Sequence, residues 1–232
     1  MNFLRIGLMF LAAALFSSCA SVSVKDVNRA SRRPMRKPDK IYIAQLDTTR
    51  GTFNIVGAEA KNPEAFKQKI AGLLAGYVVK DVSLHVAPAQ LTTTPHSLPR
   101  SGWLVTGEFL RVNTGSRALR AIVGLGAGGS KMETRISVID LSGSGQPFLT
   151  FETTGGSNAM PGLMESSSPW GAALSMTAQA MMGVTDDAAR TSRMITGELN
   201  TYMIQRGWLA TDKAYEAKAP GQFQLVHEHY IP

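Results

Sequence analysis

The chain is 232 residues long and has one cysteine, four histidines and only 18% charged residues. A single cysteine excludes any internal disulfide, so no staple framework organises the fold. The histidines are too scattered to build a catalytic or metal centre. His85 reads as outward-facing on a strand, His96 lies in a Pro-flanked loop, and His227 and His229 form a bare H-x-H without further ligands. There is no G-x-S-x-G, because "GGSNA" breaks the pattern at its last position. Asp186 and Asp187 are adjacent carboxylates, but a helix start accounts for them. No set of nucleophile, base and orienting group can be drawn, and the sequence predicts no enzyme, no cofactor and no metal. Long apolar runs are also scarce: the longest, Ile6–Phe16, is far below the ~20 residues that a spanning helix needs.

Charge of one sign is concentrated rather than spread. The formal net charge is +7. Between residues 20 and 40, seven basic residues (Lys25, Arg29, Arg32, Arg33, Arg36, Lys37, Lys40) face two acidic ones, Asp26 and Asp39, an excess of five. With Arg5 set aside, residues 41–232 carry only +1. A nearly neutral domain has no basic face to track phosphates, so nucleic acid is excluded as a partner.

What is present begins with "MNFLRIGLMFLAAALFSSCAS": Arg5, the apolar run, Ser17, Ser18 and then Cys19. This predicts a signal peptide over 1–18. The cysteine after small residues resembles the bacterial lipoprotein signal, with Phe16 standing where Leu is usual. The resemblance implies lipidation of Cys19. With Ala20 and Ser21 following, and no Asp, it further implies an outer-membrane protein facing the periplasm. Residues 19–40, basic and holding Pro34 and Pro38, read as a disordered tether. Its charge either meets anionic headgroups or merely solvates a spacer.

Residues 41–209 predict one α+β domain. "KIYIAQLD" is a strand, and "NPEAFKQKIAGLLAGY" a helix capped by Asn62 with Pro63 at its first position. "DVSLHVAP" alternates Val82, Leu84 and Val86 as a second strand, and "LTTTPHSLPRSG" is a loop. Three antiparallel strands follow in "GWLVTGEFLRVN", "SKMETRISVIDL" and "PFLTFETTG". Ser168 and Pro169 start a helix at Trp170 that ends near Gly183. A last helix is capped by Thr185 and stopped at Gly207. The expected order is β-α-β-β-β-β-α: two layers, a mainly antiparallel sheet with helices on one face. Residues 210–232 read as a loosely attached tail.

Two stretches stand out. "GSRALRAIVGLGAGGS" contains a literal G-x-G-x-x-G at Gly124, Gly126 and Gly129, but a strand follows it where a dinucleotide site needs a helix N-terminus. Apolar and flexible, the stretch 121–130 needs a cover: its own domain, a partner or a membrane. Arg117 and Arg120 precede it, either to pair with Glu108, Glu133 or Asp140 or to form an anion site with Ser116 and the glycine N–H groups. The second stretch, 159–183, gathers Met160, Met164, Met176, Met181 and Met182 with Trp170, suited to close packing or to an adaptable surface. Gly124, Leu125, Gly126, Gly128, Gly129, Arg117, Arg120, Met160, Met164 and Trp170 are the candidate partner-binding residues.

Gly107, Phe109, Gly115, Ser116, Arg120, Gly124, Gly126, Ala127, Gly128 and Asp140 together resemble the signature of an uncharacterised bacterial lipoprotein family, domain of unknown function forty-four-ten. The resemblance implies an envelope lipoprotein and no activity. The expected function is therefore a lipid-anchored envelope protein that binds or supports another envelope component. The alternatives are an oligomeric secretion or assembly component of the outer membrane, or a small-ligand carrier or hydrolase.

Overall fold

The computed structural model describes residues 22–94, 97–115, 130–157 and 169–217. Seven strands form one sheet: β1 (Val22–Arg29), β2 (Ile41–Ala44), β3 (Thr52–Asn54), β4 (Ala89–Thr92), β5 (Trp103–Asn113), β6 (Ser130–Asp140) and β7 (Pro147–Ser157). Two helices cover it, α1 (Pro63–His85) and α2 (Pro169–Gln205). The sheet runs β1-β7-β6-β5-β2-β4, with β3 pairing β5 off this path. The long strands β1, β7, β6 and β5 are antiparallel; β2 with β4, β2 with β5 and β3 with β5 are parallel. The protein is thus a two-layer α+β domain with a mixed sheet.

Alternation decides which face is buried. Along β6, Met132, Thr134, Ile136 and Val138 point inward, and Glu133, Arg135 and Ser137 outward. Trp103, Val105 and Phe109 of β5 and Leu149 and Phe151 of β7 complete the inner face. Gly107 has no side chain for a reason: a Cβ there would lie 2.0 Å from the Arg135 carbonyl oxygen. On the helix side the core takes Phe66, Ile70, Leu74, Val78 and Val82 from α1 and Val184, Ala188, Ile195, Leu199 and Tyr202 from α2.

Asn62 caps α1 through a 3.2 Å bond from the Ala65 N–H, with Pro63 first in the helix. At the other end of α2, Gly207 (φ 69°) donates to the Ile204 carbonyl and Trp208 to that of Met203. These two bonds are a Schellman motif, and Trp208 closes it by packing near Trp103 and Tyr202.

The structure corrects four sequence expectations. "DVSLHVAP" is not a strand: α1 runs on to His85, because Val78 and Val82 continue the four-residue spacing of Phe66, Ile70 and Leu74. The next strand, β4, instead uses the start of the predicted loop. The helix begun at Pro169 does not end at Gly183, and Thr185 caps nothing, since α2 is one 37-residue helix. Finally, residues 22–40 are not a disordered tether. β1 pairs with β7 from Val22↔Gly155 to Arg29↔Leu149, and the chain that follows is held to the domain.

Candidate functional site

Three polar constellations are candidates. The first lies on the open sheet face, where the strand registers place Glu108, Arg135, Glu152 and Lys25 side by side across β5, β6, β7 and β1. Arg135 bridges both carboxylates: Nη1 donates to Glu108 Oε1 at 2.7 Å, and Nη2 and Nε to Glu152 Oε1 at 2.8 and 3.0 Å. Lys25 Nζ reaches Glu152 Oε2 at 3.1 Å. In the row beside it, Glu133 accepts from Lys131 at 2.7 Å and from Thr154 at 3.1 Å, with Arg111 at 3.7 Å. Partial burial works against the Glu152 and Glu133 carboxylates, yet these partners hold both below their ordinary pKa. Their acceptor oxygens are engaged, so the row clamps β1 onto the sheet rather than offering a base. Glu108 and Glu133 thus have partners within the sheet, and Asp140 Oδ1 accepts from Ser142.

The second constellation is the seam between the helices. Ser192 Oγ donates directly to Asp81 Oδ2 at 2.7 Å. Burial pushes the Asp81 carboxyl up, against the opposing hydrogen bond and the charges of Arg193 and His85. No imidazole stands between hydroxyl and carboxylate, so this pair is not a nucleophile relay. His85 is not on a strand but ends α1, and its ring stacks on Tyr215 at 4.3 Å. Asn200 donates to the carbonyls of His85 and Lys213 and accepts from the Tyr215 N–H, at 2.8, 3.1 and 3.1 Å. Residues 210–217 are therefore docked on the helices, where a loose tail was expected; 218–232 lie outside the described residues.

The third is the loop from Ala30 to Lys40. Arg29 at its root bonds Glu198 of α2 at 2.6 Å. The Ala30 N–H donates to the Phe148 carbonyl, Arg206 Nη2 to that of Pro34, and the Trp103 N–H to that of Lys40, at 2.9, 3.0 and 3.0 Å. Arg206 also lies over the Trp208 ring at 4.8 Å. Pro34 and Pro38 are buried, and Arg32, Arg33, Met35, Arg36 and Lys37 are exposed. The sequence signal for this site was the pair of prolines four apart inside the basic run. Composition alone gives disorder here, because it does not show that the two prolines pack against the domain.

Cys19, Arg117, Arg120, Gly124, Leu125, Gly126, Gly128, Gly129, Met160 and Met164 lie outside the described residues, and Trp170 lies in the first turn of α2 with its side chain outside the description. What the registers do fix is where their flanks stand. Asn113 pairs with Lys131, Ser130 with Ser157, and Val22 with Gly155, so the end of β5, the starts of β6 and β1 and the end of β7 share one end of the sheet. The basic loop leaves from the other. Among the described residues there is no group of three or more His, Cys, Asp or Glu residues that could hold a metal, and no helix long and apolar enough to cross a membrane.

The family model described as a domain of unknown function, DUF4410, matches residues 21–174. The chain belongs to that family. No curated protein matches it. Among solved structures it is similar to a PelC dodecamer from Paraburkholderia phytofirmans at 10% identity, covering 74% of this chain and 96% of that one with a TM-score of 0.36. A point variant of that dodecamer matches over the same shares at 10% identity, with a TM-score of 0.33.

Proposed function

We propose that this member of the DUF4410 family is a lipid-anchored, periplasm-facing outer-membrane protein that binds or supports another envelope component without catalysing a reaction. The observation that carries the reading is the distance from Cys19 to the fold. β1 begins at Val22 and is paired with β7 from its first residue. Three residues span at most about 10 Å. A lipid on Cys19 would therefore hold one particular end of the sheet against the membrane, with no slack.

That end is where the apolar glycine stretch leaves β5 and returns as β6, and where the chain leaves β7 for the Met-rich stretch that leads into α2. Their sequences suit a covered, adaptable contact, with a lipid surface or a partner protein beside the anchor. The engaged carboxylates of the sheet face and the direct Ser192–Asp81 bond lend support to a binding role over catalysis.

The test is fractionation of cells making wild type, Cys19→Ala and Gly126→Glu chains, with mass analysis of the mature N-terminus and in-cell crosslinking. The reading expects an acylated Cys19, release of Cys19→Ala from the membrane fraction, and a partner adduct that Gly126→Glu reduces while its melting temperature is unchanged. An unmodified Cys19 in a chain that stays soluble would overturn the anchor. Detergent-resistant rings would replace the accessory role with an oligomeric assembly component.

A further inference from the structure

The folded part of the chain is nearly neutral outside one short loop. Residues 29–40 hold Arg29, Arg32, Arg33, Arg36, Lys37 and Lys40 against Asp39 alone. Arg29 is committed to Glu198. Arg32, Arg33, Arg36 and Lys37 are exposed, and among the described residues none of the four has an acidic partner within salt-bridge distance. The open sheet face shows the opposite habit: its cations Lys25, Arg111, Lys131 and Arg135 are each paired.

Amid those four cations stands Met35, 93% exposed, far more than Leu84 at 68% or any other large apolar side chain described. The loop that presents it is fixed. Pro34 and Pro38 are buried on either side, and the bonds of Ala30, Pro34 and Lys40 hold it at its root, middle and end. A rigid loop loses little conformational freedom on binding, so its contacts convert to affinity efficiently. Methionine and arginine are the residue types enriched at protein interfaces, and arginine's planar fork fits carboxylates in two-bond geometry.

We propose that this loop docks a partner protein, with Met35 entering an apolar pocket whose rim carries carboxylates that pair with Arg32, Arg33, Arg36 and Lys37. An anionic membrane is the weaker fit. Surface-seeking segments bury a broad apolar stripe, whereas here a single apolar side chain projects. β1 also carries the chain about 24 Å from Val22 to Arg29. If the anchoring proposed above holds, the loop therefore faces away from the anchored surface.

The experiment places a photo-reactive phenylalanine analogue at Met35, and as control at exposed Lys61, in the full chain in the bacterium that makes it. The expected result is an adduct with one protein through a peptide bearing Asp or Glu, at least ten-fold stronger from position 35 than from 61. The yield from position 35 should fall at least ten-fold in the combined Arg32→Glu, Arg33→Glu, Arg36→Glu, Lys37→Glu chain, whose melting temperature should match wild type. Equal adducts from both positions, adducts only with phospholipid, or a protein adduct indifferent to charge reversal would each overturn the proposal. So would sedimentation of the purified Cys19→Ala chain with phosphatidylglycerol vesicles that charge reversal abolishes, since it assigns the loop to a membrane. The membrane fraction of Cys19→Ala cells reads the anchor separately, so loss of the anchor reading leaves the loop result standing.

Discussion

The open sheet face and the helix side of the domain treat the same functional group in opposite ways. On the sheet, Glu152 meets Lys25 and Arg135 from the strands on either side, Glu133 meets Arg111 from β5 and Lys131 from its own strand, and both pKa values fall. On the helix side, burial outweighs the partner: Asp81 is raised despite Ser192 and Arg193, and Glu198 is raised despite Arg29 at 2.6 Å. Burial raises all four, and the outcome turns on whether the partners together offset it. Two hydrogen-bonding partners with their charges do so for Glu152 and Glu133, and a single hydrogen-bonding partner does not for Asp81 or Glu198. The sheet rows set register at little cost. The half-buried carboxylates tie distant segments together and spend stability at neutral pH to do so.

Three changes test that contrast, from large effect to small. Arg29→Ala leaves Glu198 partly buried without its cation and unties β1 from α2. Breaking a fully buried pair costs about 3–5 kcal/mol, and the partial exposure of Arg29 discounts this to about 2 kcal/mol. Denaturant titration at neutral pH measures it, and a loss under about 0.5 kcal/mol would put Glu198 with the solvated sheet carboxylates instead. Asp81→Asn keeps an acceptor for Ser192 and removes a half-buried charge. Because the folded pKa of Asp81 is raised, its ionisation penalises the fold above that pKa and has no effect below the unfolded value. The variant should therefore melt higher than wild type at neutral pH, and the gap should close as pH falls into the ordinary carboxylate range. A gap that widens on acidification would reverse the assignment. Arg135→Met is the mildest, since its side chain is half exposed. Removing the cation between Glu108 and Glu152 should cost under about 1 kcal/mol, and added salt should shrink the loss further. The depressed Glu152 carboxylate gives stability above its unfolded pKa and loses it as pH falls through the folded one, so this variant should also show a shallower acid-side decline.

Where one physical signal dominated, the sequence was enough. Asn62–Pro63, the alternation of Met132 to Val138 and Gly207 followed by Trp208 each specify local geometry by themselves, and each stands as read. Where two signals overlap, tertiary context decides. Val82, Leu84 and Val86 alternate like a strand, yet Val82 also completes a helical stripe, and it is the helix that can bury it. β1 was missed because Lys25, Asp26 and Arg29 give it the composition of a linker. Its apolar alternation is short, and Asp26 at φ 52° accompanies a register shift. Two of the cations in that basic run, Lys25 and Arg29, are the ones that Glu152 and Glu198 receive. Sequence pattern ranks residues for local structure, but it does not say which distant carboxylate waits for a lysine.

The pairing of β1 with β7 also fixes an order of events. Val22 to Arg29 leave the ribosome first, but their partners, Leu149 to Gly155, are made more than a hundred residues later. Closing so long a loop rewards the chain only once the β5–β6–β7 meander exists to receive the strand. The segment that follows Cys19 thus has no partner strand until β7 is made, and it joins the sheet as its outermost strand after the meander. An enzyme acting on this strand therefore meets a chain without its sheet partner before β7 is made, and a paired edge strand afterwards.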